Sequence, residues 1–257
     1  MRLPNFNRLI PIIAPLIIFS GLELFFLKPH YVYLISFFLL IMVGAATWKI
    51  LGRGLATEGA RWLYLLTPIA LLLGGILFLL FLERAWAKHL LALSLSFFLG
   101  IFWENIFVYI YQHEKYQINS LENISNYLNL ISMFLFNSSL FGFFLFLNLP
   151  LWQLSLVALA FTFILTFQTI WVNKIKPGAA WLPIVIICLI VFEIFWTVSF
   201  LPTAFYVNGL LIATIFYLTN NLMRLHLLGS LNKKVVRRYL LLCGSVIILV
   251  LGTAKWI

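Results

Sequence analysis

Apolar residues run through this chain in blocks of roughly 20, the length a helix needs to cross the hydrocarbon core of a bilayer. Nine blocks meet that ruler, at 9–27, 31–50, 62–82, 89–111, 120–147, 150–172, 180–200, 203–224 and 238–256. Proline stands where the helices should stop, in Lys28-Pro29-His30, Asn148-Leu149-Pro150, Lys176-Pro177-Gly178 and Leu201-Pro202, because it has no N–H with which to continue the ladder. Arg2 and Arg8 give the first block the look of a signal peptide. No small-x-small cleavage pattern follows it, so the block is expected to be retained as a span. The expected fold is all-α: a polytopic membrane bundle of nine helices forming a single transmembrane domain over 1–257. With 225–237 as the longest connection, no soluble domain is expected.

Composition agrees with the pattern. Of 257 residues 64% are hydrophobic and 9% charged, and the mean hydropathy of +1.08 lies far outside the range of soluble domains. The net charge of +10 would suggest nucleic acid in a soluble protein. Here the basic residues lie between apolar blocks, where they orient the chain and meet anionic headgroups, and no stretch is long enough to build a groove-reading motif. With the amino terminus inside, one side of the membrane collects Arg2, Arg8, Lys49, Arg53, Arg61, Lys115, Lys174, Lys176, Arg224, Lys233, Lys234, Arg237 and Arg238; the other holds Lys28, Arg84, Lys88 and Lys255. That asymmetry predicts a cytoplasmic amino terminus and an external carboxyl terminus. Trp62, Trp86, Trp152, Trp181 and Trp256 fall near block ends, as interfacial anchors do.

Candidate chemistry is sparse. All seven acidic residues are glutamates, and Glu23, Glu104 and Glu193 lie inside spans, where an ionised carboxyl costs on the order of 2.5–3.5 kcal/mol at the centre and is expected to face the bundle. At about 1.5 Å of rise per residue, Glu193 lies about 13 Å and Asn208 about 9 Å beneath the Pro202 turn, with Tyr206 and Glu23 at comparable depth. These four form an expected outer polar cluster. Along the fifth span Glu122, Asn126, Asn129 and Asn137 share a helical face with Met133, and by depth Glu104, Asn126, Asn129 and Asn220 form an expected inner cluster. Either cluster could instead be hydrogen-bonding glue between helices.

Other patterns carry less. Gly209-x-x-x-Ala213 lets a neighbouring helix approach closely, and Leu231 to Arg238 is a basic segment suited to headgroups. His113-Glu114 lacks the second histidine of a zinc motif, Lys255 snorkels to the surface, and the sequons at Asn123 and Asn137 fall in a span. Cys188 and Cys243 lie in apolar blocks and imply no disulfide framework. There is no nucleophile elbow, no phosphate-binding loop and no pattern that calls for a cofactor or metal.

The stretch EIFWTVSFLPTAFYVNG, with the basic turn that follows it, resembles uncharacterised multi-pass membrane proteins of candidate-phylum bacteria. The likeness covers the last third of the chain and rests on Glu193, Trp196, Phe200, Leu201, Pro202 and Gly209. It implies a bacterial cytoplasmic membrane and brings no activity with it. Three functions stay open on the residues alone: a carrier or permease for a small or lipid-like molecule with glutamates as proton-coupled gates, a non-enzymatic assembly subunit binding another membrane protein, and, less favoured, an intramembrane enzyme with a glutamate acid/base. The partners these readings admit are a bilayer with anionic headgroups, a small-molecule or lipid substrate, and a membrane protein; nucleic acid is excluded.

Overall fold

A computed structural model describes residues 4–52, 62–117, 119–175, 178 and 180–254. Among them nine α-helices follow one another: α1 (Pro4–Leu27), α2 (Val32–Leu51), α3 (Leu63–Leu79), α4 (Ala85–Tyr111), α5 (Ser120–Leu147), α6 (Leu151–Val172), α7 (Trp181–Ser199), α8 (Phe205–Leu227) and α9 (Lys233–Thr253). Seven are long and apolar enough to cross a membrane. The other two fall short for different reasons: α3 is apolar but has 17 residues, and α8 is diluted by Asn208, Asn220 and Asn221. Trp62, Trp86, Trp152 and Trp181 are all more than half exposed at helix starts, whereas Arg2, Arg53, Arg61, Lys176, Pro177, Lys255 and Trp256 lie outside the described residues.

Two helices begin five residues ahead of the expected boundaries, α1 at Pro4 and α9 at Lys233, the latter before the span expected at 238–256. Lysine and arginine are good helix formers, and Asn232 caps the first turn by accepting from the Val235 N–H at 2.9 Å. The basic segment is therefore helical, and the connection shrinks to the residues between Leu227 and Lys233.

Packing groups the chain into two units, residues 1–128 and 129–257, with the boundary inside α5. In the first unit α1 packs most extensively on α4. Pro11 and Pro15 both lie inside α1, so two interior carbonyls lose their helical donors. Gly100 of α4 lets that stretch come close, since a Cβ there would stand 3.1 Å from the Pro15 ring. Between α2 and α4 the buried Trp103 donates its indole N–H to Thr47 Oγ1 at 2.9 Å, which satisfies the one polar atom of an otherwise apolar side chain.

In the second unit the later part of α5 is the core element. From Leu135 to Gly142 every residue is buried, although the run includes Asn137, Ser138 and Ser139. A helix buried on all sides is ordinarily apolar all round; here small polar residues take some of those places. Phe136 stacks on Phe161 of α6 and Phe141 on Phe195 of α7, with ring centroids 3.8 and 4.5 Å apart. Gly209 of α8 closes on the Ser138 backbone, the close approach expected of a small-xxx-small pair.

Candidate functional site

Of the expected outer cluster, Glu193, Asn208 and Tyr206 lie in the second unit. Glu23 belongs to the first unit, where its Oε1 meets His89 Nδ1 at 2.9 Å, and Lys88 stands over the neighbouring Phe26 ring at 6.0 Å. Asn208 is 2% exposed, and its Oδ1 accepts from the Thr203 hydroxyl at 2.5 Å. Tyr206 is exposed. Glu193 is exposed too, and no described residue hydrogen-bonds its carboxyl; only its backbone carbonyl is used, by Thr197 Oγ1 at 2.9 Å. No hydrogen bond joins Glu193 to Asn208.

Helical phase explains why Glu193 does not face the bundle as expected. The buried stripe of α7 is Ile184, Ile187, Val191, Phe195 and Val198, and residue 193 falls opposite it at 100° per residue. The outward stripe is Leu182, Ile186, Leu189, Glu193, Trp196 and Phe200, all exposed. A carboxyl thus sits within an apolar face, six residues before the end of α7, or about 9 Å in depth.

The inner residues divide between the units. In the first, Glu104 is half-buried and makes no hydrogen bond through its carboxyl with a described residue, while its neighbour Asn105 accepts from Ser120 Oγ at 2.6 Å. Asn126 is half-buried on α5. At the start of α5 the half-buried Tyr116 donates to Glu122 Oε2 at 2.9 Å and accepts from the Leu121 N–H at 3.2 Å. Burial, with the adjacent carboxylate adding to it, pushes the Tyr116 hydroxyl up to about 12 from its ordinary 10.0.

In the second unit Asn129 and Asn220 meet through a third residue. Asn129 Nδ2 donates to Gln168 Oε1 at 2.5 Å and to Thr169 Oγ1 at 3.2 Å, and Asn220 Nδ2 donates to the same Thr169 Oγ1 at 3.3 Å. Thr169 spends its proton on the Leu165 carbonyl at 2.9 Å, so its oxygen is saturated. Asn129 Oδ1, Gln168 Nε2 and Asn220 Oδ1 are buried and have no hydrogen-bond partner among the described residues. One turn further along, Arg224 reaches Asn173 Oδ1 at 3.4 Å. The layer is neutral at its centre, with amides and a hydroxyl that can bind and orient but cannot take or release a proton near neutral pH.

Gln168, Thr169, Thr203 and His89 take part without having been singled out from the sequence. Gln168-Thr169 is visible as a polar pair inside the sixth apolar block, and His89 lies as near its helix start as Glu23 does to its helix end, so the same depth arithmetic could have found both.

The helices define a multi-pass membrane protein. The chain matches no family model, no curated protein and no solved structure.

Proposed function

We propose that this chain is a non-enzymatic membrane subunit that holds another membrane protein against the outward face of α7, with Glu193 as the polar contact. The observation that carries this is the unpaired carboxyl of Glu193 in the middle of an exposed apolar stripe. A charge at membrane depth is tolerated when paired, and a glutamate is too short to snorkel out as lysine or arginine does. The complementary partner is a spanning helix that presents a lysine, arginine or histidine at the same depth. Nine spans in the cytoplasmic membrane of a bacterium, entered from a cytoplasmic amino terminus, complete the reading, and α3 and α8 cross in the shelter of the others.

The test is a photocrosslinking residue at Leu189 in native membranes, with Glu193→Gln and Glu193→Leu as partners to it. A discrete adduct is expected whose partner carries a basic residue in a span; it should weaken in the glutamine variant and vanish in the leucine one. Adducts with lipid alone, or yields indifferent to residue 193, would sink the reading.

The carrier reading keeps one observation in its favour, the three unpaired amide atoms of Asn129, Gln168 and Asn220 in the inner layer. Those groups could receive a polar solute in passage. Flux into vesicles that survives Asn129→Leu/Gln168→Leu unchanged would remove that support.

A further inference from the structure

We propose that the start of α9 is a binding site for an anionic diacyl phospholipid, with Lys233 and Arg237 on its phosphate and the groove below them on an acyl chain. A groove of about 660 Å³ is lined there by Leu231, Lys233, Val236, Arg237, Leu240 and Leu241. Lys233 and Arg237 are four residues apart on one helix face, and Val236, Leu240 and Leu241 continue that face toward the carboxyl end. Two cations above an apolar trough fit a molecule with a charged head and a hydrocarbon tail.

Charge accounting points outside the chain for the counter-ion. Lys233, Lys234, Arg237 and Arg238 fall within six residues, and no acidic residue follows Glu193. None of the four makes an ion pair with a described residue. All four are exposed. A bilayer supplies phosphate at the depth where a basic helix start meets an apolar span, and arginine and lysine both bind it. Lys234 and Arg238 do not line the groove, so they carry the same charge without the trough.

That difference gives the experiment. The purified full chain in neutral detergent is titrated with phosphatidylglycerol or phosphatidylcholine of matched chains and read by native mass spectrometry. A retained phosphatidylglycerol adduct is expected. Lys233→Gln/Arg237→Gln should weaken it about 30-fold, each basic residue near an anionic surface being worth about fivefold, while Lys234→Gln/Arg238→Gln should change it by less than about threefold. Leu240→Asn should weaken it as well, and glycerol phosphate should not compete. Equal losses in both double variants would reduce the site to diffuse attraction, equal binding of phosphatidylcholine would remove the headgroup contact, and displacement by glycerol phosphate would make it a free-phosphate site; each overturns the proposal.

Discussion

Gly209 lies against Ser138 so closely that a Cβ built on it would stand 2.6 Å from the Ser138 backbone nitrogen and 2.7 Å from its Cα. Backbone atoms of a buried helix cannot rotate aside as a side chain can. Gly209→Ala is therefore expected to force α8 off α5 and to destabilise the protein by about 1–3 kcal/mol, the usual cost of overpacking. Gly244, on α9, has nothing within 4 Å of its Cβ position; Gly244→Ala should be neutral or stabilising by up to about 1 kcal/mol through helix propensity. Equilibrium unfolding in mixed micelles compares the two, and equal effects would show that the close approach is unimportant.

The amide layer makes a prediction about coupling. Asn129→Leu leaves Gln168 Oε1 without its donor, and a buried polar atom stripped of its partner costs about 1–3 kcal/mol. Interhelical hydrogen bonds in membranes average only ~0.6 kcal/mol, so the lower half of that range is expected here. Asn129→Leu/Gln168→Leu removes both ends and should cost less than the sum of the single variants. Additive losses in a double-mutant cycle would mean that the two side chains do not interact.

Thr203 and Asn208 tie the turn between α7 and α8 to the first turn of α8. Thr203→Val keeps the shape but leaves the buried Asn208 Oδ1 without a donor, with an expected loss of about 1–3 kcal/mol. Thr203→Ser should restore most of it. A serine variant as unstable as the valine one would transfer the effect from the hydroxyl to the methyl.

Tyr116 should give the protein an alkaline edge. The folded chain holds the phenolic proton up to about 12, whereas an unburied tyrosine releases it near 10.0. The stability this group contributes is thus fully present below pH 10 and falls as pH rises through 12. Tyrosinate absorbance should show a late-titrating component that loses one tyrosine in Tyr116→Phe, and that variant should lose stability less steeply over the same range. A Tyr116 that ionises near 10.0 would contradict the burial.

Much of the architecture was legible because hydrophobic length and proline are local signals. The fifth block was expected at 120–147 and α5 occupies those residues; the Leu201-Pro202 break separates α7 from α8. Lateral orientation was not legible. In a membrane the lipid-facing and core-facing sides of a helix are equally apolar, so nothing in the run around Glu193 told which way its carboxyl points, and depth alone placed it beside Asn208. The same limit hid Gln168 and Thr169, whose depth is readable but whose azimuth toward Asn129 is set by packing of α6. The start of α9 was misplaced because a row of cations looks like a loop to a hydropathy ruler, though Asn232 supplies a capping residue.

The polar heart of α5 also sets an order of events during synthesis. Its mean hydropathy is high enough for α5 to enter the bilayer, yet the buried Ser138 lies against Gly209, and that contact cannot form until residue 209 has left the ribosome. In the interval α5 is an inserted helix whose Ser138 hydroxyl lacks the α8 backbone that later covers it. Nascent chains halted before α8 should therefore be the ones that membrane quality control recognises and degrades fastest, and chains halted after it should survive.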